Sequence, residues 1–284
     1  MSEDSLTDNP DKSWYERPKR ASATFLSRYI LVSDSHSFVG RACDLGIISL
    51  HFDTYEALAR YPDCKYAFDI GSHVQTMVQR VESLNFAGDL LWPDPMPDNF
   101  GQFPVSRYDW LKAAADVFLM RYISVVDCAI ILANAVYEVG LDAPKCSISN
   151  LRKAKVPALV LGRLQAMQDD QGALRIERNA RFHHGHERSF TQDDVSFRTA
   201  SLFEHRGSAM TGHDRYGRKL DIVRSFKEGL VGLQRDFNSS TRRLVRNLDK
   251  VYDPLGDEFE RRFAPLIAAA THGLNVKSRV RPEG

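Results

Sequence analysis

Residues 177–186 read Glu-Arg-Asn-Ala-Arg-Phe-His-His-Gly-His, a dense set of side chains suited to phosphate chemistry. Arginine supplies a permanently charged planar fork that matches phosphate oxygens. Histidine is the side chain best able to move protons near neutral pH. On a helix, Asn179 and His183 are i and i+4 and share a face. Arg178 and His183 lie about 140° apart around the axis at 3.6 residues per turn, so only a long arginine reaches round to share a site. Zinc is poorly served, because no second ligand at i+4 comes with a carboxylate or thiolate. The pattern suits binding and cleaving a phosphodiester. The alternatives are a His183 packed on a neighbouring helix and an Arg178 in a surface ion pair with Glu177 or Glu187, a contact worth ~0–1 kcal/mol. His186 and Glu187 follow Gly185 and fall in a loop.

Other chemistries find less support. Ser189 and Asp193 accompany the histidines, but no G-x-S-x-G elbow orders a nucleophile. Neither G-x-x-x-x-G-K-[ST] nor G-x-G-x-x-G occurs, so nucleotide hydrolysis and dinucleotide binding have no motif. His183, His184 and His186 would make a cramped ligand set, and no metal or cofactor is expected. Cys43, Cys64, Cys128 and Cys146 are dispersed without C-x-x-C pairing, which points to reduced thiols.

The elements that would hold the motif are helical. Asp109 is placed to cap a helix over 110–139, about 45 Å long, with Gly140 as its stop. Its apolar run over 113–137 is interrupted by Asp116, Arg121, Ser124, Asp127 and Asn134, so a buried helix fits better than a membrane span. Asp116, Ser124, Asp127 and Asn134 form a stripe on one face, either solvated or, at Asp127 or Arg121, lying under the motif helix. Pro157 suits the first turn of a helix reaching Met167, a turn follows over 169–172, and the motif helix then runs to near Gly185. Further helices are expected over 193–206, over 218–251, and, after a turn at Pro254-Leu255-Gly256, over 259–274.

The first hundred residues are harder to read. Short apolar runs at 30–32 and 46–52 fit strand or helix equally. Asp53-Thr54-Tyr55-Glu56 starts a short helix, and 64–84 reads as a longer one with Phe68, Val74, Met77 and Val81 on one side. The proline-rich stretch 92–98 blocks helix continuation and marks a boundary. The division is a disordered tail over 1–21, a mostly helical extension over 22–104, a helical bundle over 105–274 and a tail over 275–284. Residues 1–20 hold no apolar run, so no secretory signal is expected and the cytoplasm is the expected compartment.

The net charge of +1 conceals an asymmetry. Residues 1–170 carry 17 Lys/Arg against 22 Asp/Glu, whereas 171–284 carry 21 against 15, and 17 of those 21 are arginine. Such a bias around the motif fits a polyanion partner, or else a mixed-charge solvated helical surface.

Arg178-Asn179-Ala180-Arg181-Phe182-His183 reads R-N-x-x-x-H, and His184 adds a second histidine. This resembles the R-x4-6-H signature of the HEPN (higher eukaryotes and prokaryotes nucleotide-binding) superfamily, over roughly 105–274. The resemblance implies an all-α, HEPN-like antiparallel helical bundle and a metal-independent endoribonuclease acting as a homodimer. Arg178, His183 and Asn179 would be catalytic, with His184, Arg181 and Asp127 accessory, and His184 would replace His183 if the register is one longer. It also implies RNA as partner, a role as toxin or antiviral effector, and an antitoxin or other regulatory partner. Two alternatives stay open: an inactive RNA- or nucleotide-binding scaffold, and a signal-binding regulator with the N-terminal region as sensor.

Overall fold

The computed structural model describes residues 36–270, apart from Asp94, His186 and Ala209. The expectations for the two tails, for the apolar run 30–32, for 271–274 and for His186 fall outside the described residues. Within them the chain is all-helical with no β-strand, and an isolated antiparallel bridge joins His213 and Lys219. No described helix is long and apolar enough to cross a membrane.

Most of the helices begin where a side chain or proline relieves the free amides. α1 (Ser37–Gly46) starts with the His36 ring accepting from Phe38 N. α2 (Tyr55–Leu58) starts with Thr54 accepting from Ala57 N. α3 (Pro62–Leu91) has proline in its first turn and extends beyond the expected 64–84 at both ends. Its Val74, Met77 and Val81 enter the main core, but Phe68 turns instead to a satellite cluster with Ile48, Leu58 and Cys64. α1 crosses α3 closely: a Cβ on Gly71 would sit 2.8 Å from the Ala42 carbonyl oxygen, so that crossing requires glycine.

α4 (Arg107–Val136) is capped by Ser106, not by Asp109. Ser106 Oγ accepts from Asp109 N at 3.2 Å and donates to the Asp109 carboxylate at 2.7 Å, a reciprocal pair that moves the start three residues back. The helix stops at Val136, short of the expected 139, and Asn134 holds the exit by bonding both the N–H and the C=O of Leu141. α5 (Ile148–Lys153) and α6 (Ala158–Asp170, entered from Pro157) follow, then α7 (Gly172–His184). α8 (Asp194–His205) is capped by Asp193.

α9 (Ile222–Ala269) departs most from expectation. It is one 48-residue helix running through Pro254 and Pro265, where the sequence suggested a turn at 254–256. An interior proline costs ~3 kcal/mol, but burial continues in phase across it through Leu248, Val251, Leu255 and Phe259. α1 and α3 cover that stretch: Phe38 meets Tyr252 and Phe259, and Tyr66 stacks on Phe259 at 5.5 Å. Packing of large aromatic area outweighs the missing backbone bond. One core cluster therefore runs from Phe38 to Phe263 and across the proline-rich stretch 92–98. At its centre Phe118 of α4 stacks on Phe237 of α9 with centroids 3.8 Å apart.

Candidate functional site

The motif occupies α7, as its sequence suggested, and α7 fully buries none of its residues. Its position is set by its ends and by ion pairs. A single residue, Gln171, joins it to α6; that side chain is fully buried and donates to the Tyr122 carbonyl at 2.7 Å. At the other end Gly185 takes φ +66°, the left-handed conformation that closes a helix and favours glycine.

Two carboxylates of the α4 stripe hold α7 from beneath. Asp116 pairs with Arg181 at 2.5 Å, and that arginine side chain is only 5% exposed. Asp127 pairs with Arg175 at 3.2 Å. Asp116 and Asp127 are eleven apart, about three turns, which places both on one face of α4. The order of the pairs makes α7 antiparallel to α4. Glu177 lies 3.9 Å from Arg181 and 3.6 Å from Arg188, and Arg188 reaches Asp236 of α9. A continuous chain of charges thus ties α4, α7, the following loop and α9 together.

The loop after the motif is fixed as firmly. Glu187 accepts from Lys112 and from the Tyr108 hydroxyl, and lies 3.4 Å from Arg198. The Lys112 hydrogen bond, and then that of Tyr108, holds the Glu187 carboxyl below the usual glutamate range. Burial, with Asp194 and Glu187 adding to it, pushes the Tyr108 phenol upward.

The proposed catalytic side chains take no part in this network. Asn179, His183 and His184 are exposed and Arg178 is half-buried. Arg178 has no carboxylate partner among the described residues, because Glu177 and Glu187 are engaged by other cations. The His183 and His184 rings meet edge to face at 6.4 Å. Ile176, Asn179, Ala180 and His183 follow i, i+3, i+4, i+7 spacing and share the outward face, with Ile176 70% exposed. Arg181 and Asp127 lie elsewhere: both orient α7 and neither joins that face. Arg175 and Arg181 are thus tied to carboxylates of α4, whereas Arg178 is not. Asp116, Arg188 and Asp236 were not singled out as anchors by sequence, though the three-turn spacing of Asp116 and Asp127 was a signal for the first.

Composition of the site allows anion binding by Arg178 and proton transfer by His183 or His184. No family model matches the chain, and no curated protein or solved structure matches it.

Proposed function

We propose that this chain is a metal-independent endoribonuclease of HEPN type, working as a homodimer whose two α7 helices face one another. The observation that carries the reading is that Asn179 and His183 are exposed and Arg178 half-buried on one helix anchored at both ends, none of the three in an ion pair among the described residues. The divergence of Arg178 and His183 by about 140° favours a cleft shared between two copies, and the exposed Ile176 and half-buried Ala180 on the same face suit helix-to-helix contact.

In such a cleft one His183 removes the proton from a ribose 2′-OH. The 2′ oxygen attacks the adjacent phosphorus and the P–O5′ bond breaks. The same His183, now protonated, returns the proton to the departing 5′ oxygen. Arg178 neutralises charge on the non-bridging oxygens of the five-coordinate phosphorus, where fixed cations stabilise most. Asn179 orients the substrate or His183. The products are a 2′,3′-cyclic phosphate and a 5′-hydroxyl.

The test is incubation of labelled RNA and sequence-matched DNA in EDTA. RNA cleavage that survives the chelator, with DNA intact, supports the reading. Cleavage only after Mg²⁺ or Mn²⁺ addition, or equal cleavage of DNA, contradicts it. Binding of RNA without cleavage points to the scaffold alternative.

A further inference from the structure

The solvent face of α9 carries a line of cations that the motif does not use. Arg235, Ser239, Arg242, Arg246 and Lys250 are all exposed and are spaced 4, 3, 4 and 4 residues apart, so they form one straight stripe. It extends about 22 Å at 1.5 Å per residue. Among the described residues none of these four basic side chains has a carboxylate partner, whereas the neighbouring Arg243 is paired with Asp170. Beyond Lys250 the line becomes acidic, with Asp253 and Glu260 taken by His36 and Arg41. The cationic segment is therefore bounded.

Its place relative to α7 follows from two ion pairs. Asp170, just before α7, meets Arg243, and Arg188, just after it, meets Asp236. Positions 236 and 243 are seven apart and lie on the same side of α9. Arg235 and Arg242 each precede one of them by a single residue, about 100° around the axis. The stripe thus runs about a quarter turn from the side to which both ends of the motif helix are tied.

We propose that Arg235, Arg242, Arg246 and Lys250 form a track that holds the phosphodiester backbone of single-stranded RNA beside α7, an inference that rests on the ribonuclease reading of that helix. Arginine matches phosphate oxygens, and a row of unpaired cations binds a polyanion with release of its counterions. A membrane surface is less well matched. Helices that lie on lipid flank their cations with an apolar face, and here Phe237, Leu244 and Leu248 are buried in the core.

The test measures binding of a 2′-O-methyl RNA, which lacks the nucleophile, so that capture and cleavage are read separately. The variant is Arg235→Gln/Arg242→Gln/Arg246→Gln, which keeps helix-forming side chains at exposed positions. The control, Arg152→Gln/Lys153→Gln/Arg163→Gln, changes the net charge equally on α5 and α6. The track variant should raise Kd about tenfold or more and make the salt dependence shallower by about two, near 0.7 for each of three phosphates. Cleavage of a dinucleotide, too short to reach the stripe, should be unchanged. Unaltered RNA binding by the variant, an equal loss in the control, or loss confined to binding of phosphatidylserine vesicles would overturn the track. Track-dependent binding in a protein that cleaves no RNA would support the track while removing the ribonuclease reading.

Discussion

Replacing Asp116 with alanine separates the work of Arg181 from that of Arg178, three residues away on the same helix. The Arg181 side chain is 5% exposed and Asp116 27%, with 2.5 Å between their charged atoms. Removing one partner of a buried ion pair costs about 3–5 kcal/mol, because the other charge is left in a poor solvent. Two features reduce that figure here. Asp116 is partly hydrated, and Glu177 remains 3.9 Å from Arg181. We expect Asp116→Ala to destabilise by about 2–3 kcal/mol, lowering Tm by roughly 4–12 °C for a chain of this size. Arg178→Gln leaves no partner unmatched and should stay within about 0.5 kcal/mol of wild type, while losing RNA cleavage. Urea denaturation gives the two stabilities, and amide exchange along α7 shows whether the loss is local. A change under about 0.5 kcal/mol for Asp116→Ala, or an equal cost for Arg178→Gln, would refute the division of roles.

Further outcomes follow from the same contacts. Glu187 has a depressed folded-state pKa, so its contribution is present above its unfolded value of about 4.3 and is lost as pH falls through the lower folded value; proteolysis of the loop at 185–193 should rise only below about pH 4. Pro254→Ala should stabilise the protein by about 1–3 kcal/mol if α9 is continuous there, since alanine restores a backbone donor; a neutral or destabilising result in thermal melts would favour a turn. His183→Ala should abolish RNA cleavage with the circular dichroism unchanged, and His184→Ala should cost less; the reverse order would shift the register to His184. Arg178→Lys should be nearly as inactive as Arg178→Gln, because a point charge does not reproduce the planar fork.

The parts of this fold legible in the sequence were those governed by local rules. α7 ends at Gly185 and α8 occupies the expected 193–206 stretch, whereas the turn expected over 169–172 shrinks to Gln171 because α6 continues to Asp170. The Ser106–Asp109 start was misplaced because both residues belong to one reciprocal cap and either alone is a good N-cap. The break at Pro254 was misread because proline's local cost is visible in the sequence, whereas Phe38 and Tyr66, some two hundred residues away, are not. The same limit hid the purpose of Arg181. Its partner Asp116 lies on another helix, so nothing near residue 181 reveals that this arginine is held in an ion pair while Arg178 is not.

The central claim is that Arg178 and His183 act together across two facing copies of α7. It is tested most directly by mixing two inactive proteins, Arg178→Ala and His183→Ala, under conditions that let subunits exchange. Each hybrid dimer contains one intact arginine and one intact histidine contributed by different chains. RNA cleavage in EDTA should reappear in the mixture at a level well above either parent alone. A mixture that forms hybrid dimers, verified by two distinct affinity tags, yet cleaves no better than its parents would contradict the account.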